Sequence, residues 1–300
     1  MLTFTPNCRL GNLMFEFASM VGIRDAHPAN VTWTICRERK MALGAGAFPR
    51  IAALPVCDGR LPDPQIEHHS PDWGRYDVGT RRLPVDRNIR LRGFRQSWKY
   101  FENCSEEVRD YFRFATSIAD RANATLQSAL TRHFCRGGNL SKFTSACSIV
   151  DDVIIIGVHV RRGDMVGSNE SYPVPDVDFL QRAMLHHVTR INTAAESEAA
   201  TTVRRRPRVV FVVCSDGMTW CRENLAGRDD VIFIESGVSE VDLAVLASCR
   251  HSIITAGTFG WWAAWLAGGF TVYYRDFPGP RLRPAYDSQD YYPPGWVGLS

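Results

Sequence analysis

The longest uninterrupted apolar run that lacks a helical rhythm spans Val153 to Val160, where seven of eight residues are glycine or aliphatic and only His159 is polar. Such a β-branched run predicts a strand buried on both faces, the kind that parallel sheets require. It stops abruptly in Arg161, Arg162, Gly163 and Asp164. Shorter runs of the same character follow at Val209–Val213, Val231–Ile234, Ile253–Ile254 and Thr271–Tyr274. Helical patterns fill the gaps: from an Asp176 cap to about Ile191, from Met218 to Leu225, from a Ser239 cap to Cys249, and from Trp261 to Leu266. Asp242 stands where a variant capping box would be completed. Asn192 to Arg208 reads as a polar insertion. Strands alternating with helices over about 130 residues predict an α/β fold with a doubly wound parallel sheet.

The amino-terminal half opens in the same style. Leu2–Thr5 predicts a strand, Leu13–Arg24 a helix with Leu13, Phe17, Met20 and Val21 on one face, and Val31–Cys36 a second strand: the start of a Rossmann-like half. Gly11 and Asn12 precede this helix as a candidate ligand contact through backbone donors, or as a plain tight turn. Residues 44–90 are rich in Pro, Gly and Asp and predict few elements. Gly44 and Gly46 do not make a dinucleotide fingerprint, because Pro49 stands where the third glycine belongs. Leu91–Phe94 predicts a strand, Ser105 caps a helix with Glu106 and Glu107 in its first turn, and a further helix runs from Thr116 to Phe134. Gly137–Ser148 reads as a polar linker, which divides the chain into domains 1–148 and 149–300.

Composition narrows the classes. Net charge is +3 and lysine occurs only at Lys40, Lys99 and Lys142, so the cationic residues are scattered arginines. No long basic run or aromatic-basic interleaving marks a nucleic-acid partner; discrete anion sites fit better. Nine cysteines show no CxxC pair and no zinc spacing. Five of ten asparagines lie in acceptor triplets, at Asn30, Asn103, Asn123, Asn139 and Asn169. Chance gives about one in eight, so the enrichment argues for a secretory-pathway lumen, where some of the cysteines pair. The amino terminus shows neither signal peptide nor anchor helix. Ser252–Tyr274 carries no charge, but its four glycines break it into strand, loop, helix and strand rather than a membrane span.

In a parallel sheet every strand ends on one edge, so three polar or glycine-rich loops converge: His159–Asp164, Ser215–Gly217 and Gly257–Gly260. A guanidinium there suits diphosphate oxygens, and Arg161 is the first candidate. Arg162 either joins it or forms a structural ion pair with Asp164. Gly257, Thr258 and Phe259 lead into a helix whose open amides, with the Thr258 hydroxyl, accept phosphate oxygens. His159 either touches base or ribose or is a core histidine, and Asp216 either reads a guanine edge or forms an Asx turn with Gly217. Asp176-Val177-Asp178 has the DxD spacing of metal-dependent nucleotide-sugar enzymes, yet helix capping explains it better, so no metal site is expected. Neither a Gly-x-Ser-x-Gly elbow nor an HExxH pair is present, which weakens hydrolase readings.

His159-Val160-Arg161-Arg162-Gly163-Asp164, with FVVCSDGMTWCRENL (211–225) and SIITAGTFGWWAAWLAGG (252–269), resembles the animal galactoside α-1,2-fucosyltransferases. RLGNLMFEFA (9–18), LRGFRQSWKYF (91–101) and PPGWVGL (293–299) look similar too. The resemblance implies two Rossmann-like domains in a GT-B-type arrangement, an acceptor-side domain first and a GDP-fucose-binding domain second. It further implies inverting, metal-independent transfer of fucose from GDP-fucose to the 2-hydroxyl of a terminal β-galactoside, no cofactor, and a Golgi type II membrane topology whose anchor is missing from this sequence. By the same resemblance Arg161 contacts the donor diphosphate. Leu13 and Cys214 depart from the family pattern, where a polar residue and Thr or Ser are usual. Glu170 is the carboxylate nearest downstream of the phosphate loop as acceptor base, with Asp164 its rival and a water relay a third route. A fucosyltransferase with another glycan or protein acceptor, or a catalytically silent GDP-sugar or carbohydrate-binding protein, would share these features. Release of GDP in the presence of β-galactosides separates the enzyme from the binding protein.

Overall fold

The computed structural model describes residues 1–4, 9–27, 35–36, 46–54, 56–57, 64–84, 86–135, 153–168, 170–199 and 207–300. They form two compact units: residues 1–116 with 280–294, and residues 117–279 with 295–300. The boundary therefore falls at 116/117 and not at 148/149, and a stretch near the carboxyl end belongs to the first unit. The expected linker at 137–148 lies outside the described residues.

In the first unit, β1 (Leu2–Phe4) leads into α1 (Leu10–Asp25). This helix is buried on nearly all sides from Gly11 to Ile23, more than the single apolar face the sequence suggests, and Leu13 is part of that core. A Cβ on Gly22 would collide with the Tyr100 carbonyl, so the glycine sets how closely α1 approaches the 98–100 turn. The short β2 (Ile35–Cys36) and β3 (Val56–Cys57) pair in parallel; the rest of the predicted 31–36 strand lies outside the described residues. β4 (Ile66–His69) and β5 (Ile89–Arg92) complete a parallel sheet of order β1-β5-β4. On β5, Ile89 and Leu91 point inward while Arg90 and Arg92 reach Glu67 on β4 at 3.2 and 2.8 Å. β4 falls in the stretch where the sequence predicts few elements, because Ile66 is the one apolar residue among its four positions.

α2 (Ser105–Tyr111) begins at the residue expected to cap it: Ser105 is its first helical residue, and no side chain caps it. Residues 280–294 are tied to this unit by side chains. Asp290 accepts the Tyr76 N–H at 2.8 Å and the Lys99 ammonium at 2.6 Å, and Trp73 Nε1 donates to the Leu282 carbonyl at 3.2 Å.

The second unit starts with α3 (Thr116–Cys135), followed by β6 (Val153–Val160), which has the expected bounds. Then come α4 (Val177–Ala199), β7 (Arg208–Ser215), α5 (Met218–Leu225) and β8 (Val231–Phe233). α6 (Ser239–Ala247), β9 (His251–Ile254), α7 (Thr258–Ala267), β10 (Thr271–Tyr274) and β11 (Val297–Leu299) complete it. Asp176 caps α4 by accepting the Phe179 N–H at 2.9 Å, and the helix continues through the start of the supposed insertion to Ala199. Asp242 does not pair with Ser239; its carboxylate accepts the Ser236 N–H at 3.1 Å. The charge-free 252–274 stretch is β9, α7 and β10, with Trp261 and Trp262 fully buried. No helix among the described residues is long and apolar enough to cross a membrane.

All six strands run parallel in the order β11-β10-β9-β6-β7-β8. Counted from β6 this is 3-2-1-4-5-6, the doubly wound order whose direction of winding reverses between the first and fourth strands. Here those strands are β6 and β9. Ile156, Val158 and Val160 pack with Phe179, Phe211 and Ile253 in one apolar core that holds the central strands rigid. The loops leaving β6 and β9 are therefore borne on the most firmly packed part of the unit.

Candidate active site

The loop after β6 and the loop after β9 are joined by two hydrogen bonds. Thr255 N–H donates to the His159 carbonyl at 3.2 Å, and Arg161 N–H donates to the Thr255 hydroxyl at 2.8 Å. Thr255 is buried, so this bond is sheltered from water. The link extends the sheet's pairing by one residue past the strand ends and fixes where the Arg161 side chain starts. Thr255 was not singled out from sequence; a hydroxyl directly after Ile253–Ile254 was its only signal.

Arg161 lies between two carboxylates. Its Nη1 donates to Asp216 Oδ2 and its Nη2 to Asp164 Oδ1. Asp216 also accepts the Arg162 N–H at 2.7 Å through Oδ1. The sequence left an Arg162–Asp164 ion pair open as one alternative, but Arg162 faces elsewhere: its guanidinium carbon stands 3.9 Å from the centre of the Trp220 ring, and Nη1 reaches the Pro175 carbonyl at 3.4 Å. Cation–π contact and a carbonyl bond make Arg162 a fastener of the loop. The proposed Asx turn is absent too. Gly217 N–H donates to the Ser215 hydroxyl at 2.9 Å, and that hydroxyl donates to the Val160 carbonyl at 2.7 Å. Both Asp216 oxygens serve the 161–162 segment, so they are already committed away from a guanine edge.

Gly163 is required by this arrangement, because a Cβ there would run into the Asp216 carboxylate. Gly257, at φ +80°, ends the β9 loop in a conformation that favours glycine. α7 begins at Thr258, three residues before the predicted Trp261 start, with no side-chain cap and no acidic residue in its first turn. The positive end of its dipole therefore lies at this edge of the sheet, where it favours an anion. Thr258 and Phe259 are half-buried, and the Phe259 ring lies 5.1 Å from the His159 ring.

His159 is buried, and a Cβ on Gly260 would come within 2.5 Å of its Nδ1, which has no hydrogen-bond partner. Burial, aided by the neighbouring Arg161 charge, pushes this imidazole down to about 3. It is neutral at every physiological pH and offers shape and a ring face, not charge. Glu170 is exposed on the turn that follows the loop after β6. Cys214 and Cys249 are buried thiols, both pushed up first by burial; Cys104, Cys135 and Cys221 are likewise unpaired. The side chains of the other four cysteines lie outside the described residues.

Gly11 and Asn12 belong to the first unit and sit inside the first turn of α1, not in a turn before it. Asn12 Oδ1 accepts from Gln96 Nε2 at 3.1 Å. Of the acceptor triplets, Asn103 is exposed on a short 3-10 turn, whereas Asn123 is exposed in the middle of α3; Asn30, Asn139 and Asn169 lie outside the described residues.

A family model described as Glycosyl transferase family 11 matches residues 1–300. Galactoside alpha-(1,2)-fucosyltransferase 1 of Bos taurus is 30% identical over 329 residues, covering 98% of this chain and 83% of the bovine protein. Its Homo sapiens counterpart is 30% identical over 308 residues, covering 99% and 74%. Among solved structures, POFUT1 in its apo-form superposes with a TM-score of 0.52 at 10% identity, covering 91% of this chain and 97% of that one. At that identity the likeness concerns the fold alone.

Proposed function

Because this chain belongs to glycosyl transferase family 11, an α/β family of GT-B-type architecture, we propose that it transfers L-fucose from GDP-β-L-fucose to the 2-hydroxyl of a terminal β-galactoside. Fucosyl transfer rests on the family and its named relatives, two of which carry the galactoside and the α-(1,2) linkage in their names. The observation that carries donor binding is the fastening of Arg161 to Thr255 at the point where the sheet reverses its winding, which is where doubly wound sheets take nucleotides.

The chemistry follows from charge. As the bond between fucose and diphosphate breaks, negative charge grows on the β-phosphate while the sugar gains oxocarbenium character. Arg161 and the positive end of the α7 dipole are fixed before the reaction, so they stabilise that charge without reorganising. A divalent cation does the same work in other nucleotide-sugar enzymes; here the guanidinium and helix terminus supply the positive potential. Attack by the acceptor oxygen on the face opposite the leaving diphosphate inverts the anomeric carbon. Glu170, an exposed carboxylate downstream of the β6 loop, takes the acceptor proton. The acceptor triplets support a lumenal, secretory-pathway setting.

Titration with GDP tests the donor site. Arg161→Ala should fold and lose nucleotide binding, and unchanged affinity would remove the assignment. Transfer to a β-galactoside should persist in excess chelator and yield an α-1,2 linkage by NMR.

A further inference from the structure

Arg161 is placed for a diphosphate, yet its guanidinium is already paired on two sides within the protein itself, with Asp216 and with Asp164. The two carboxylates differ in how firmly they are held. Asp216 is 30% exposed and is fixed by the Arg162 N–H on its second oxygen, close against Gly163. Asp164 is 58% exposed and stands on the single 3-10 turn Gly163–Met165, immediately after a glycine. An exposed ion pair of this kind is weak and opens readily. A diphosphate brings more negative charge and more oxygens to the same guanidinium than one carboxylate does, and it adds contacts with the α7 amides.

We propose that Asp164 is an internal counter-ion that stands in for the donor diphosphate. In the nucleotide-free protein it neutralises Arg161 and holds the fork forward; on binding, phosphate oxygens replace its carboxylate, which turns to solvent, while Asp216 keeps the fork aimed. The inference rests on the reading that Arg161 binds the diphosphate. Its consequence is that part of the attraction between Arg161 and the nucleotide is spent on displacing Asp164, and the displaced carboxylate still repels the bound phosphates. Both effects weaken GDP retention and favour product departure. Asp164 is then a positioning residue that sets affinity, and not the proton acceptor.

The test is calorimetric titration of the full chain with GDP and with guanosine. Asp164→Asn should bind GDP about two- to fivefold tighter, the scale of one exposed ion pair, with guanosine affinity unchanged. Asp164→Ser repeats the measurement with a different side chain should the Asn variant misfold. Asp216→Asn should weaken GDP, because the fork loses its fixed anchor. A residue that merely stabilises the loop would weaken binding in both variants, so the opposite directions are the signature. If Arg161→Ala abolishes GDP binding while both Asp164 variants bind equally or more weakly than the parent, the counter-ion inference is overturned by itself. If Arg161→Ala leaves GDP affinity intact, the diphosphate reading fails and this inference fails with it.

Discussion

Thr255 holds the backbone of Arg161 through a 2.8 Å bond to its hydroxyl, so the arginine that follows one strand is positioned by its neighbour across the sheet's reversal. Thr255→Val keeps the shape and removes the acceptor, leaving a sheltered N–H unpaired. Unfolding in urea should show a loss of roughly 1–3 kcal/mol. GDP affinity should drop as well, since Arg161 loses its fixed origin; unchanged affinity in a folded Val variant would show that the bond serves stability only.

The tandem arginines should behave differently. Arg162 stacks on Trp220 and bonds a carbonyl, so Arg162→Lys should lower stability by about 1 kcal/mol or less and leave GDP affinity within about threefold. Arg161→Lys loses the fork that reaches two oxygens at once and should weaken GDP far more. Equal losses at the two positions would show that Arg162 also contacts the ligand.

Stability should fall on acidification. Besides His159, His187 is fully buried: its Nε2 lies 3.2 Å from the Ser252 carbonyl, and burial, with His251, His186 and Arg190 adding to it, pushes it down to about 4. Both imidazoles are neutral in the fold but take up protons below 6.5 when unfolded, so the unfolded chain binds more protons as pH drops. Their contribution is complete above 6.5 and is lost as pH falls through 4 and then 3, on the order of 3 kcal/mol for His187 and 5 kcal/mol for His159. Melting temperature measured from pH 7 to pH 4 should decline, and His187→Gln should flatten the decline. For the same reason no limb of the activity profile between pH 5 and 9 should move in His159→Gln.

Asp290→Ala should destabilise the first unit. Its carboxylate holds both the Tyr76 N–H and the Lys99 ammonium, and removing it leaves two donors without their acceptor. A loss of about 2–3 kcal/mol in denaturant unfolding is expected; Asp290→Asn, which keeps an acceptor, should recover part of it.

Much of the second unit is legible in the sequence because its strands are buried on both faces. β6, α5 and β10 have the predicted bounds, and the charge-free 252–274 stretch resolves as anticipated. The first unit is harder to read. β4 is a four-residue strand whose Glu67 and His69 face outward, and its place is set by long-range partners on β5. The return of 280–294 is likewise invisible, since it depends on Asp290 meeting residues about two hundred positions away. At the site, the residue types were readable but their pairing was not. Adjacent side chains on a strand end point in opposite directions, which is why Arg161, not Arg162, meets Asp164. Asp216 reads as a ligand contact because a strand-end carboxylate can serve either a ligand or a neighbouring loop, and only geometry separates the two.

The chain leaves the second unit at residue 279, contributes 280–294 to the first, and comes back to lay down β11 beside β10. Severing the polypeptide once, at 116, would therefore give an amino-terminal fragment short of Asp290 and a carboxyl-terminal fragment carrying a misplaced passenger. Isolating either half intact for ligand work calls for rearranged gene order or co-expressed pieces, and a conventional truncation series would report on damaged halves.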